Sequence, residues 1–293
     1  MSSLLRDLYL AKRVHCKDES QLELAQFTIS EIAIRGQAFN ISNTYAFWLD
    51  HVMKAADGDG RVLRELRAAR PPFDLVAFEI IFPHSQDKKS APCIAVLSHP
   101  KGTPDGIYYL VTFHKMIGGW ELAPTEAVCV ITPTGKVEAI ISTTLNDQNW
   151  PERLRRGELQ RPERGSWREL SEMIACHVLF SICLMNCRGA RQVEYQVPPK
   201  VLKKRLSRGE PAFKTYVLDV EPTKLARRPG QSNGESGIEM SQHFCRGHFG
   251  DYREKGLFGK HKGLFWFGPH IRGNPNVGVI DKSYRLHPPE AAP

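Results

Sequence analysis

Between Phe73 and Ser142 the chain carries five apolar runs, LVAFEIIF, APCIAVLS, GIYYLVTF, AVCVIT and KVEAIIS, separated by segments such as PHSQDKK, HPKGTPD and PTGK. The runs are rich in β-branched and aromatic residues and the segments between them in turn formers, so they read as strands. Parallel pairing needs crossovers of about a dozen or more residues, and most of these connections are shorter. The spacing therefore predicts an antiparallel meander.

The flanking sequence reads as helical. Leu4, Leu5, Leu8 and Leu10 give a short apolar stripe, and Leu22, Leu24, Phe27, Ile29, Ile32 and Ile34 give a second that Gly36 could close. A third segment covers Thr44 to Ala56, with Phe47, Trp48, Val52 and Met53 as core, and Val62 to Ala69 reads as a short basic helix ending before Pro71. After Pro151, Ser166 and Glu169 make a capping box ahead of a nearly all-round apolar stretch from Trp167 to Cys187. A helix apolar on every side has to be buried, here against the meander. Cys176, Cys183 and Cys187 fall near one of its faces and read as small core hydrophobes.

The expectation is an α+β fold: N-terminal helices, a central antiparallel meander sheet packed on a long buried helix, and a C-terminal basic β-rich segment. The corresponding regions are 1–70, 71–195, a basic arm and flexible linker over 196–240, and 241–293.

Apolar residues make up 41% and charged residues 25% of the 293, which is globular usage and excludes wholesale disorder. The seven cysteines form no regular framework, which fits a reducing compartment. The N-terminus has no secretory pattern, and the longest apolar run, Met173 to Met185, is too short to span a bilayer. The location expected is therefore cytoplasmic, with no membrane partner. No Walker loop, strand-linked GxGxxG, HExxH or GxSxG occurs, which weakens nucleotide-hydrolase, dinucleotide-binding, zincin and α/β-hydrolase readings.

A formal charge of +8 favours a polyanionic partner, although charge of that size also serves solubility. Lys200, Lys203, Lys204, Arg205 and Arg208 cluster in PPKVLKKRLSRGEPAF, read as a basic arm or surface loop. From Ser241 to His287, eight Lys or Arg face three acids and alternate with aromatic rings. Cations that neutralise phosphate beside rings that stack bases suit single-stranded nucleic acid. The residues predicted to carry such binding are Lys203, Lys204, Arg205, Arg246, His248, Tyr252, Lys260, Trp266 and Arg272. The competing reading is a twisted hairpin whose aromatics are core.

Two catalytic readings stand beside binding. His248 and His270 could act as base and acid in metal-independent RNA cleavage, with Arg246 or Arg272 stabilising the phosphorane. His243, Cys245, His248 and His270 supply zinc-type ligands, but the H-x-C-x-x-H spacing is uncommon for zinc and CxxC is absent. No metal or cofactor is expected.

Three stretches together resemble a known family. They are Pro71, Pro72, Phe73, Phe78 and Glu79; the PPK-x-L-KKR arm; and the terminal His243, Arg246, Gly247, His248, Phe249 with Trp266, His270, Arg272 and Gly273. The resemblance is to a phage- and plasmid-borne family that includes the type V-A anti-CRISPR, which lowers synthesis of its CRISPR effector nuclease by provoking destruction of the effector mRNA during translation. Phe249 stands where many relatives would carry Trp. The resemblance implies a mobile-element inhibitor that associates with RNA or ribosomes and with a nascent polypeptide of a CRISPR effector nuclease. A peptide-binding inhibitor without RNA contact is a further alternative.

Overall fold

The five apolar runs are strands in the computed structural model, which describes residues 4–45, 48, 66–83, 90–145, 149, 151–152, 156, 166–220, 241–245, 248–268, 270–272 and 274–280. The chain divides into two units, Met1–Glu221 and Pro222–Pro293. The first unit contains α1 (Leu4–Tyr9), β1 (Val14–His15), α2 (Glu19–Arg35), β2 (Gln37–Asn40), β3 (Leu75–Pro83), β4 (Ser90–Ser98) and β5 (Ile107–Met116). It continues with β6 (Gly119–Leu122), β7 (Thr125–Ile131), β8 (Val137–Thr144), α3 (Trp167–Met185), β9 (Ala190–Glu194), α4 (Pro199–Leu206) and β10 (Thr215–Val220).

β3, β4 and β5 pair antiparallel in sequence order, as expected. β5 is long enough to take two partners along its other edge: Ile107 to Leu110 pair with β7, and Phe113 to Met116 with β6. β8 extends the sheet from β7, and the two-residue β1 lies parallel to β6. On the opposite side the sheet is mixed. β2 runs parallel to β3, β10 runs parallel to β2, and β9 closes the edge antiparallel to β10. The antiparallel meander thus describes β3 to β8, while β1 and β2, from the region read as helical, join the same sheet.

Both faces of the sheet are covered. Ala77, Ile94, Val96, Val111 and Phe113 point to a core shared with Leu5 and Leu8 of α1 and Ala25 and Ile32 of α2. The alternate residues, including Phe78, Ala95, Leu110 and Cys129, are buried on the other side. α3 lies on that side, where Thr125 of β7 bonds Ser171 at 2.7 Å and Arg168 donates to Ser142 O at 2.9 Å. The predicted cap is present, with Ser166 Oγ accepting from Glu169 N–H at 3.2 Å. Twelve residues of α3 are buried, among them Ile174, Val178, Leu179 and Ile182. Cys183 and Cys187 are buried with them, as expected, whereas Cys176 is part-buried. Burial holds the Cys176 thiol up at about 12, so it stays protonated.

Gly36 does close α2, but in an extended conformation with φ −75° and ψ 148°. It is required by space. A Cβ there would lie 2.6 Å from both Cα and O of Ile32. Leu66 to Ala69, read as part of a basic helix, is irregular with Arg70 after it, because the polar groups of this stretch are bonded elsewhere. Leu66 O accepts from Val137 N–H, Ala69 N–H donates to Gly135 O, and Ala68 O and Arg70 O accept from Asn186 Nδ2. Pro71 and Pro72 also bias the preceding chain away from helix. Trp48 is buried as expected. Phe47, Val52, Met53 and Val62, with the linker over 226–237, lie outside the described residues.

The second unit is β-rich. β11 (Ser241–Cys245) lies between β14 (His270–Arg272), antiparallel, and β15 (Asn274–Ile280), parallel. β12 (His248–Asp251) and β13 (Leu264–Phe267) form an antiparallel hairpin. Among the described residues no helix is long and apolar enough to cross a membrane.

Candidate nucleic-acid interface

The sequence PPKVLKKRL forms a helix rather than a loop. Pro199 sits at its start, where a missing N–H costs nothing, and Lys203, Lys204 and Arg205 occupy its last turn, where cations oppose the negative end of the helix dipole. No residue of α4 is buried. Lys200, Lys204, Arg205 and Arg208, with Arg6 of α1, line a concavity of about 440 Å³. Arg6 is fixed there by the buried Glu210, Nη2 to Oε2 at 2.8 Å and Nε to Oε2 at 2.9 Å. Arg208 approaches the other oxygen of Glu210 at 4.0 Å. One carboxylate thus serves two arginines, and the lysines keep the outer surface.

β9 precedes this helix in the chain and forms an edge of the sheet with an exposed surface that includes Arg191 and Val193. Over residues 188–214 there are eight cations, Arg188, Arg191, Lys200, Lys203, Lys204, Arg205, Arg208 and Lys214, against the two carboxylates Glu194 and Glu210. That excess of six in 27 residues exceeds the C-terminal excess. Sequence reading singled out Lys203, Lys204 and Arg205 but missed Arg6, Arg188 and Arg191. The strand register that makes 190–194 an edge places Arg191 there, with Arg188 just before it, and Arg6 joins through its ion pair with Glu210.

In the second unit His248 is exposed on β12, its ring stacked on Phe267 at 5.2 Å and 26°. Tyr252 meets Phe265 and Phe267 edge-on at 5.9 and 6.3 Å. Lys260 is exposed on the connection between β12 and β13. Trp266 is buried, 2% exposed, with its ring 4.7 Å from Phe249. This tryptophan is buried and presents no face on which a base could stack. Arg246 lies outside the described residues, and for Arg272 and His270 only the backbone of β14 is described.

The register pairs Cys245 with His270 and His243 with Arg272, whereas His248 pairs with Phe267 in the other sheet. The two histidines considered for acid–base chemistry are therefore not partners across a ladder. Among the described residues no group of three or more His, Cys, Asp or Glu is placed to hold a metal ion; the side chains of His243, Cys245 and His270 are not among them.

A different kind of site lies between α2 and the sheet. A cleft of about 820 Å³ has Leu24 and Phe27 on the helix wall, Tyr109 and Val111 on the sheet wall, and Glu31 and Glu126 among its polar groups. No protein-family model, curated protein or solved structure matches the chain.

Proposed function

We propose that the protein is a mobile-element inhibitor of the anti-CRISPR kind that acts in the cytoplasm by binding rather than by catalysis. It associates with RNA or translating ribosomes, and with a nascent polypeptide of a CRISPR effector nuclease, to suppress synthesis of that target. The observation that carries the RNA-binding part is the unburied helix α4, set in a segment where eight cations face two carboxylates. The inhibitor role comes from the resemblance of the motifs, and the cationic surface is compatible with it.

Binding to single-stranded RNA releases counterions, so the slope of log K against log salt is about −0.7 per phosphate contacted. Replacing Lys203, Lys204 and Arg205 by Gln should flatten that slope by about 2 and weaken binding to unrelated sequences alike. Fluorescence anisotropy of a short labelled RNA across a salt series reads both quantities. Unchanged affinity and slope in the triple variant would remove the proposal. RNA cleavage that disappears in His248→Ala would select the ribonuclease reading instead.

A second reading, capture of an extended peptide without RNA contact, is supported by the cleft beside α2, where Phe27 remains 62% exposed. Salt-insensitive peptide binding that is lost in Phe27→Asp, with no RNA bound, would select it.

A further inference from the structure

The connection between β12 and β13 is built in two stages. Its base is closed by Tyr252 N–H to Gly263 O at 2.9 Å, and it narrows to a second closure where Leu257 and His261 exchange N–H···O bonds of 2.7 and 3.1 Å. Leu257 is buried against Phe265, Phe267 and Tyr252. The next residue, Phe258, is turned outward and 68% exposed.

Phe258 is also the one non-glycine residue with positive φ among the described residues, at 54°. Gly259 follows at 70°, and Lys260 N–H closes the turn onto Leu257 O at 3.1 Å. Two successive positive φ angles are normally filled by Asn-Gly or Gly-Gly, because a bulky side chain crowds its own carbonyl there. Asn or Gly would serve the turn better and would leave no ring in water. A local choice that works against both turn geometry and solvation points to function at that residue.

The surroundings indicate what the ring meets. Lys255, Lys260, His261 and Lys262 are exposed in the same connection, within four residues of Phe258 in the chain, and Glu254 is the carboxylate in that stretch. Arg253 is held by Asp251, with Nε to Oδ1 at 2.9 Å and Nη2 to Oδ2 at 2.6 Å. A planar ring on a tight turn, flanked by lysines, matches a base stacked between neutralised phosphates.

We infer that Phe258 is a base-stacking finger for single-stranded RNA, a proposal that rests on the RNA-binding reading of α4 and assigns a separate contact. Anisotropy titrations of the full chain would use a short single-stranded RNA, an abasic strand of equal length, and vesicles containing anionic lipid. Phe258→Ala should weaken binding to the RNA about tenfold, leave the abasic strand and the salt slope unchanged, and be rescued by Phe258→Trp. Equal affinity of Phe258→Ala and the parent for RNA would overturn the inference while the Lys203, Lys204, Arg205 variant still tests α4. Equal loss on the abasic strand would also overturn it, as would a loss confined to vesicles. A parent chain that binds no RNA would sink both readings.

Discussion

His177 and His114 are neutral because of where they sit. Burial pushes His177 down to about 3 and His114 down to about 4, from an ordinary 6.5. The His177 ring lies 5.3 Å from Trp48 and 5.6 Å from Tyr45, with Nε2 2.9 Å from Thr44 Oγ1. Thr44 in turn donates to Ile41 O at 2.7 Å, and its Oγ1 also lies 2.8 Å from Ser181 Oγ, so the neutral imidazole joins a buried hydroxyl cluster. Both folded values lie below the unfolded one. Below 6.5 the unfolded chain therefore takes up protons that the folded chain refuses, and stability falls as pH drops toward 4. The expected slope is about 1.4 kcal/mol per pH unit for each histidine. Urea melts at stepped pH should show it, and His177→Gln should lose about half of it; an unaltered slope would contradict this burial account. Gly36→Ala should cost about 1–3 kcal/mol, since the added methyl meets the backbone of Ile32. A Tm unchanged by that substitution would show that the close approach relaxes freely.

At the scale of elements, α3 is the best-encoded piece of the fold. Its cap, apolar surround and length are all local properties, and Ser166→Ala should cost about 1 kcal/mol in a denaturant melt. The meander strands were legible for the same reason, as β-branched runs between turn formers. β1, β2 and β9 were not, because Val14–His15, QAFN and ARQVE become strands by pairing with distant partners. The candidate site divides in the same way. The charge of α4 was legible in PPKVLKKRL, although its helical form was not. LFWF, a continuous apolar run, is buried at all four positions of β13, which is why Trp266 is core. Phe258 was visible as one aromatic among several, and only the turn at Leu257–Lys260 distinguishes it. Removing the charge of α4 should cost no more than about 1–2 kcal/mol, the helix-dipole share of three exposed cations, since no residue of that helix is buried. A large loss of stability would make the lysines structural.

For the whole molecule, the net charge of +8 is placed unevenly: residues 188–214 carry an excess of six and residues 241–287 one of five, while the remaining residues are net negative. An evenly spread excess would speak for solubility, whereas one gathered on a sheet edge and an unburied helix speaks for a polyanion. The inhibitor role adds a cellular expectation: tagged protein drawn from translating bacteria should retain ribosomes and one enriched message, and release them on RNase treatment. Retention of a single RNase-resistant protein instead would favour direct protein inhibition. The most direct test of the central claim is ultraviolet cross-linking of the purified full chain to single-stranded RNA, followed by mapping of the modified peptides. The account expects adducts within 188–214 and at the turn that carries Phe258. Adducts confined to other surfaces, or none at all under conditions that cross-link a control RNA-binding protein, would contradict it.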